Sequence, residues 1–149
     1  LLSQLVLYLA AHPGNEPAMG TAVLIDYYGF TDEEKIDALA PHFDSADPRL
    51  RDAIWEVLLT VDTPAGARSS VELVRQVEQA LDGGAKAVAT GDVLATLARD
   101  ESWWIRLYVA HVARRRPELV RPEVLARLRE DEDPRVRRAA DGGSSAEGR

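Results

Sequence analysis

The side chains that most often carry chemistry are few in this chain and widely spaced. The histidines are His12, His42 and His111, with no His-Glu-x-x-His pattern and no close pair. There is no cysteine, which excludes a disulfide framework, a thiol nucleophile and any zinc site built on thiolates. The acidic run Glu130-Asp131-Glu132-Asp133 lacks the glycine and the ligand spacing of a calcium loop, and reads as a helix-end turn. Ser69, Ser70 and Ser102 stand in no G-x-S-x-G context and read as helix caps. Gly83-Gly84 and Gly142-Gly143 are not followed by the Lys-Ser/Thr of a phosphate loop, so they read as helix stops. The expectation is a protein with no catalytic residues, no metal and no cofactor.

What remains is aromatic and cationic. Trp55, Trp103 and Trp104 are accompanied by Asp52 and many arginines, and Trp and Arg are the residues that dominate protein-binding hot spots. Trp55 lies beside Ile54 in a long apolar stretch and is expected in the core. Trp103 and Trp104 are expected either to pack on a neighbouring segment or to anchor a partner.

These residues sit on a globular background. The chain has 149 residues, 46% apolar and 29% charged, enough for one domain that needs no staple. The formal charge of −7 argues against bulk binding to nucleic acid or to an anionic membrane. The charge is uneven. Positions 1–98 hold six basic residues against fifteen acids, and 99–149 hold twelve arginines against ten acids. The apolar run Leu1–Ala11 is shorter than the about 20 residues a membrane span needs and has no basic flank, so it predicts a buried first helix. No membrane association is expected, and the location expected is cytoplasmic.

The positioning elements read as helices throughout. No alternating β-branched run is bounded by hairpin turns. Pro17 suits the first turn of a helix ending near Tyr28. Thr31 and Glu34 form a capping box, and Ser69 with Glu72 forms a second. Asp47-Pro48 opens a helix carrying Leu50, Ile54, Val57, Leu58 and Val61 on one face, broken by Thr63–Ala67. An extra helix is expected over about 70–82, ending before Gly83-Gly84. The tail Asp141–Arg149 is Gly/Ser-rich and is expected to be disordered, leaving 1–140 as a single domain.

Self-comparison shows a repeat. VLATLARD at 93–100 recurs as VLARLRED at 124–131, an offset of 31. Ile105-Arg106 falls on Val136-Arg137 at the same offset. Asp47-Pro48-Arg49-Leu50-Arg51 matches Asp133-Pro134-Arg135-Val136-Arg137, and Ser102-Trp103-Trp104-Ile105-Arg106 is the middle copy. Leu50, Ile105 and Val136 are expected to face the core, with Asp47, Ser102 and Asp133 capping their helices. Ile54, Val109, Leu125 and Leu128 are expected to be buried as well. The recurring Arg51, Arg106 and Arg137 are expected to bridge to the acidic turn of a neighbouring copy.

This pattern resembles a HEAT-type α-solenoid, in particular the short bacterial form of about 31 residues related to the phycocyanobilin-lyase repeats. The resemblance covers 86–140 most closely and 31–61 less so, while 62–85 departs from it. It implies an all-α, right-handed solenoid of about four antiparallel helix pairs with an extra helix inserted mid-chain. The function expected is a non-catalytic scaffold or adaptor, its partner another protein or the remainder of a longer parent chain. Second helices line the concave face of such stacks, which makes Trp103, Trp104, Leu107, His111, Arg114 and Arg138 the candidate protein-contact residues. Two alternatives come by analogy. HEAT-like alkylpurine DNA glycosylases are similar in placing Trp, Asp and Arg on a concave face, but no motif matches them residue by residue. A bilin-lyase-like role rests on the repeat subtype alone, and fold does not imply function.

Overall fold

The computed structural model describes residue 4 and residues 30–58, 67–83 and 87–142. The expected helix over 17–28, all but residue 4 of the one over 1–11, Val61, the tail beyond Gly142 and the expected break at Thr63–Ala67, except for Ala67, which opens a helix, lie outside the described residues. Among the described residues the chain is all-α: helices and no strands. The α-helices are α1 (Asp32–Leu39), α2 (Pro48–Leu58), α3 (Ala67–Gly83), α4 (Ala87–Leu97), α5 (Trp103–Arg115), α6 (Pro122–Leu128) and α7 (Pro134–Ala140). Short 3-10 turns cover Ala40–His42 and Pro117–Leu119. The chain divides into two compact units, residues 1–71 and 72–149.

In the first unit, α1 begins where the capping box places it. Thr31 Oγ1 accepts from the Glu34 N–H at 3.1 Å, and Glu34 Oε1 accepts from the Thr31 N–H at 2.8 Å. α1 and α2 pack together, and they and the 3-10 turn after α1 bury Ile36, Leu39, Phe43, Leu50, Ile54, Val57 and Leu58. Trp55 is buried too, its ring stacked on Phe43 with centroids 4.8 Å apart. That contact places it in the core, as its apolar neighbours imply.

In the second unit α5 is the hub. It packs on α4, α6, α7 and the second 3-10 turn. Nine of its thirteen residues are buried. The inserted helix exists as α3, with Ser69 inside it, two residues past its start. The Ser69–Glu72 capping box therefore does not form: Ser69 already lies within the first helical turn, and a capping residue must precede that turn in extended backbone. α3 is tied to α5 by the Tyr108 hydroxyl, which donates to Glu78 Oε2 at 2.7 Å. Gly91, inside α4, is where the second 3-10 turn comes closest. A Cβ there would stand 3.3 Å from the Leu119 carbonyl oxygen, which accounts for a residue that otherwise weakens a helix.

Ile105, Val109, Leu128 and Val136 are fully buried. Leu125 is only half-buried, contrary to the expectation, while its equivalent Leu94 in the preceding copy is fully buried.

Candidate functional site

The three motif copies fold into the same turn. In each, the residue six positions before the motif arginine offers its carbonyl to that arginine's Nη1. Arg51 bonds Ser45 O at 2.6 Å, Arg106 bonds Asp100 O at 2.8 Å, and Arg137 bonds Asp131 O at 2.6 Å. In each, the side chain of that same residue accepts the N–H two positions on. Ser45 Oγ takes the Asp47 N–H, Asp100 Oδ1 the Ser102 N–H and Asp131 Oδ1 the Asp133 N–H, at 2.9–3.1 Å. A short polar side chain bonding a backbone N–H two residues later closes a turn by itself. The guanidinium then pins the turn's carbonyl to the first turn of the following helix.

Capping is less uniform. Asp133 Oδ1 accepts from the Arg135 N–H at 2.8 Å. Ser102 occupies the N-cap position of α5, but its side chain makes no cap bond. The expectation that it would accept from a free helix N–H is not met; Ser102 enters the turn through its own N–H, which donates to Asp100 Oδ1.

The middle arginine has a second task. Arg106 Nε and Nη2 reach the Asp131 carboxylate at 2.8 and 3.1 Å, a two-pronged contact across 25 residues of chain. Both side chains are nearly enclosed, at 10% and 8% exposure. Asp131 thus shapes its own turn and receives the arginine of the preceding copy. The bridge to a neighbouring acidic turn, expected from the spacing, is present at Arg106.

A second link runs beside it. The Arg135 guanidinium lies 3.4 Å from the centroid of the Trp103 ring, a cation–π contact worth about 0.5–1 kcal/mol when partly exposed. Arg135 is held there by Asp133, which accepts from its Nε and Nη2 at 3.1 and 2.9 Å. These hydrogen bonds hold the Asp133 carboxyl below its ordinary value of 3.8, against a smaller opposing effect of burial. A carboxyl lowered in the folded chain stabilises it above the unfolded value, and that contribution is lost as pH falls through the folded value. Asp133→Asn should therefore cost little at neutral pH, a few tenths to about 1 kcal/mol, and should lose less stability than wild type between about pH 5 and about pH 3. Urea unfolding at the two pH values measures the difference; parallel losses would show that Asp133 does not contribute to acid sensitivity.

The candidate contact residues part company. Trp104 and Leu107 are 3% and 6% exposed, so neither presents a side chain to a partner; for Trp104 this is the packing alternative of the two expected, and for Leu107 it is contrary to the expectation. The reason is α5 itself: packed on several sides, it has no continuous solvated face on which Leu107 could lie. Trp103 is half-buried under Arg135, His111 is half-buried, and Arg114 and Arg138 are exposed. Among the described residues, no group of three or more His, Asp or Glu side chains is arranged to hold a metal ion, and no helix is long and apolar enough to cross a membrane. Sequence reasoning missed Arg135 as the cover of Trp103; the offset of 31 puts these two residues in successive copies of the motif and was the available signal.

Comparison of the chain with protein-family models, curated proteins and solved structures gave no match.

Proposed function

We propose that this chain is a non-catalytic interaction scaffold built from HEAT-like helical repeats, stacked in the right-handed sense of an α-solenoid. The observation that supports the reading is the thrice-repeated turn, in which one side chain and one arginine set the same geometry at residues 45–51, 100–106 and 131–137. Modules of this kind join end to end and leave helix surfaces for partners. With Trp104 and Leu107 buried, the contact candidates narrow to the exposed Arg114 and Arg138, flanked by the half-buried His111 and Trp103. Exposed arginines suit a partner protein with an acidic segment, and charges of this kind raise the encounter rate more than the affinity.

The test is capture by the immobilised chain, comparing wild type with Arg114→Glu/Arg138→Glu after circular dichroism shows both are folded. The expected result is an acidic partner retained by wild type, released by salt and lost from the double variant. Equal capture by both proteins overturns the contact assignment. A salt-dependent shift of labelled duplex DNA would instead move the chain to the nucleic-acid class of HEAT-like proteins.

A further inference from the structure

The last motif copy repeats the geometry of the middle one but lacks its cover. Arg106 and Arg137 stand at equivalent positions, each with Nη1 on the carbonyl oxygen six residues back. Arg106 is 8% exposed because Asp131 of the following copy closes over its Nε–Nη2 edge. Arg137 is exposed, and its side chain meets no carboxylate among the described residues. The first helices of the two copies differ in the same sense. Leu94 on α4 is fully buried, in a helix on which the second 3-10 turn, Pro117–Leu119, packs. Leu125 on α6, at the matching position, is only half-buried. A cation already aimed by a local hydrogen bond and a leucine less covered than its counterpart thus mark the last copy of the motif series.

We propose that this end, with Arg137 and Leu125 as its anchors, docks a further helix–turn–helix repeat supplied by another chain, whose turn presents an aspartate as Asp131 does to Arg106. The chain itself shows the chemistry of the occupant. Residues 117–142 contribute the 3-10 turn that lies on α4 and the aspartate that takes the Arg106 guanidinium, so the matching occupant brings a short turn against α6 and an aspartate for Arg137. A guanidinium fork selects a carboxylate by two parallel hydrogen bonds, which a lone surface charge does not. The inference rests on the repeat reading given above, but concerns a surface other than Arg114 and Arg138.

The probe is a labelled synthetic peptide with the sequence of residues 117–142, titrated against the full chain by fluorescence anisotropy. Wild type should bind it. Arg137→Ala should weaken binding by about tenfold or more, the equivalent of about 1.4 kcal/mol. The peptide carrying Asp131→Asn should be weakened to a similar degree, and combining the two changes should add little to either alone. Arg137→Lys, which keeps the charge and loses the fork, guards against a folding defect and should also weaken binding. Absence of binding to wild type overturns the proposal. So does binding indifferent to Arg137, the outcome expected if the peptide displaces the chain's own residues 117–142. Binding that emerges only after removal of residues 143–149 assigns the surface to the chain's own tail and overturns it as well. Failure here alongside Arg114- and Arg138-dependent capture removes the docking end and leaves the scaffold.

Discussion

Ile105→Asp should leave the second unit unfolded. Ile105 is fully buried in the first turn of α5, the helix on which α4, α6, α7 and the second 3-10 turn all pack. A carboxylate there would lose its hydration in a site whose surrounding side chains are largely apolar. The effective penalty for an unpaired buried ion is several kcal/mol, against a total stability of about 5–15 kcal/mol for a whole domain. Far-UV circular dichroism and recovery in the soluble fraction read the outcome. Ile105→Val, which removes one methylene, is the control and should cost only about 0.5–1.5 kcal/mol. Soluble Ile105→Asp protein with full helical signal would mean that the 31-residue register places the wrong residue inside.

The second large effect is expected at Arg106. Arg106→Ala removes both bonds to Asp131 and those to the Asp100 and Glu101 carbonyls, leaving a nearly enclosed carboxylate without its cation. Breaking one side of such a pair costs about 3–5 kcal/mol, and the closeness of both groups to full burial argues for little discount by solvent. For a unit of this size, each kcal/mol lowers Tm by about 4–8 °C, so a fall of roughly 12 °C or more is expected. A double-mutant cycle with Asp131→Asn separates the pair from the local carbonyl bonds, and should show coupling well above the about 1 kcal/mol of a surface pair. An unchanged Tm in Arg106→Ala would show that the link carries no stability, and Arg106 would then become a candidate for binding.

Much of this was legible because the repeat is carried by residues whose physics is local. The copies at 47–51, 102–106 and 133–137 announce themselves through an acid or serine, an aliphatic and an arginine at fixed spacing. The capping box at Thr31–Glu34 needs only its own four residues. The expectations that failed depend on neighbours distant in sequence. Leu107 has the spacing of an outward residue on an isolated helix, and it is buried because α5 is surrounded. Trp104 is enclosed for the same reason, which leaves the packing role of the two its position allowed. Leu125 carries the same residue type as Leu94 at the same place in its copy, yet differs in exposure, because burial reports what packs on top rather than what the residue is. Ser69 mimics a cap well in sequence, but nothing local says where α3 begins.

The turn-closing bonds bear on how the chain reaches this structure. Each arginine meets a carbonyl six residues away, whereas the bond joining successive copies spans 25. Loops of about ten residues close in about 10–100 ns, and helices relax in about 0.1–1 μs, so each turn can form before its neighbour is in place. The search left to the polypeptide is then the docking of preformed corners over short stretches of sequence, the regime of low contact order and fast folding. Slow steps, where they occur, would belong to α3, whose tie through Glu78 to Tyr108 spans 30 residues and has no counterpart in the repeat.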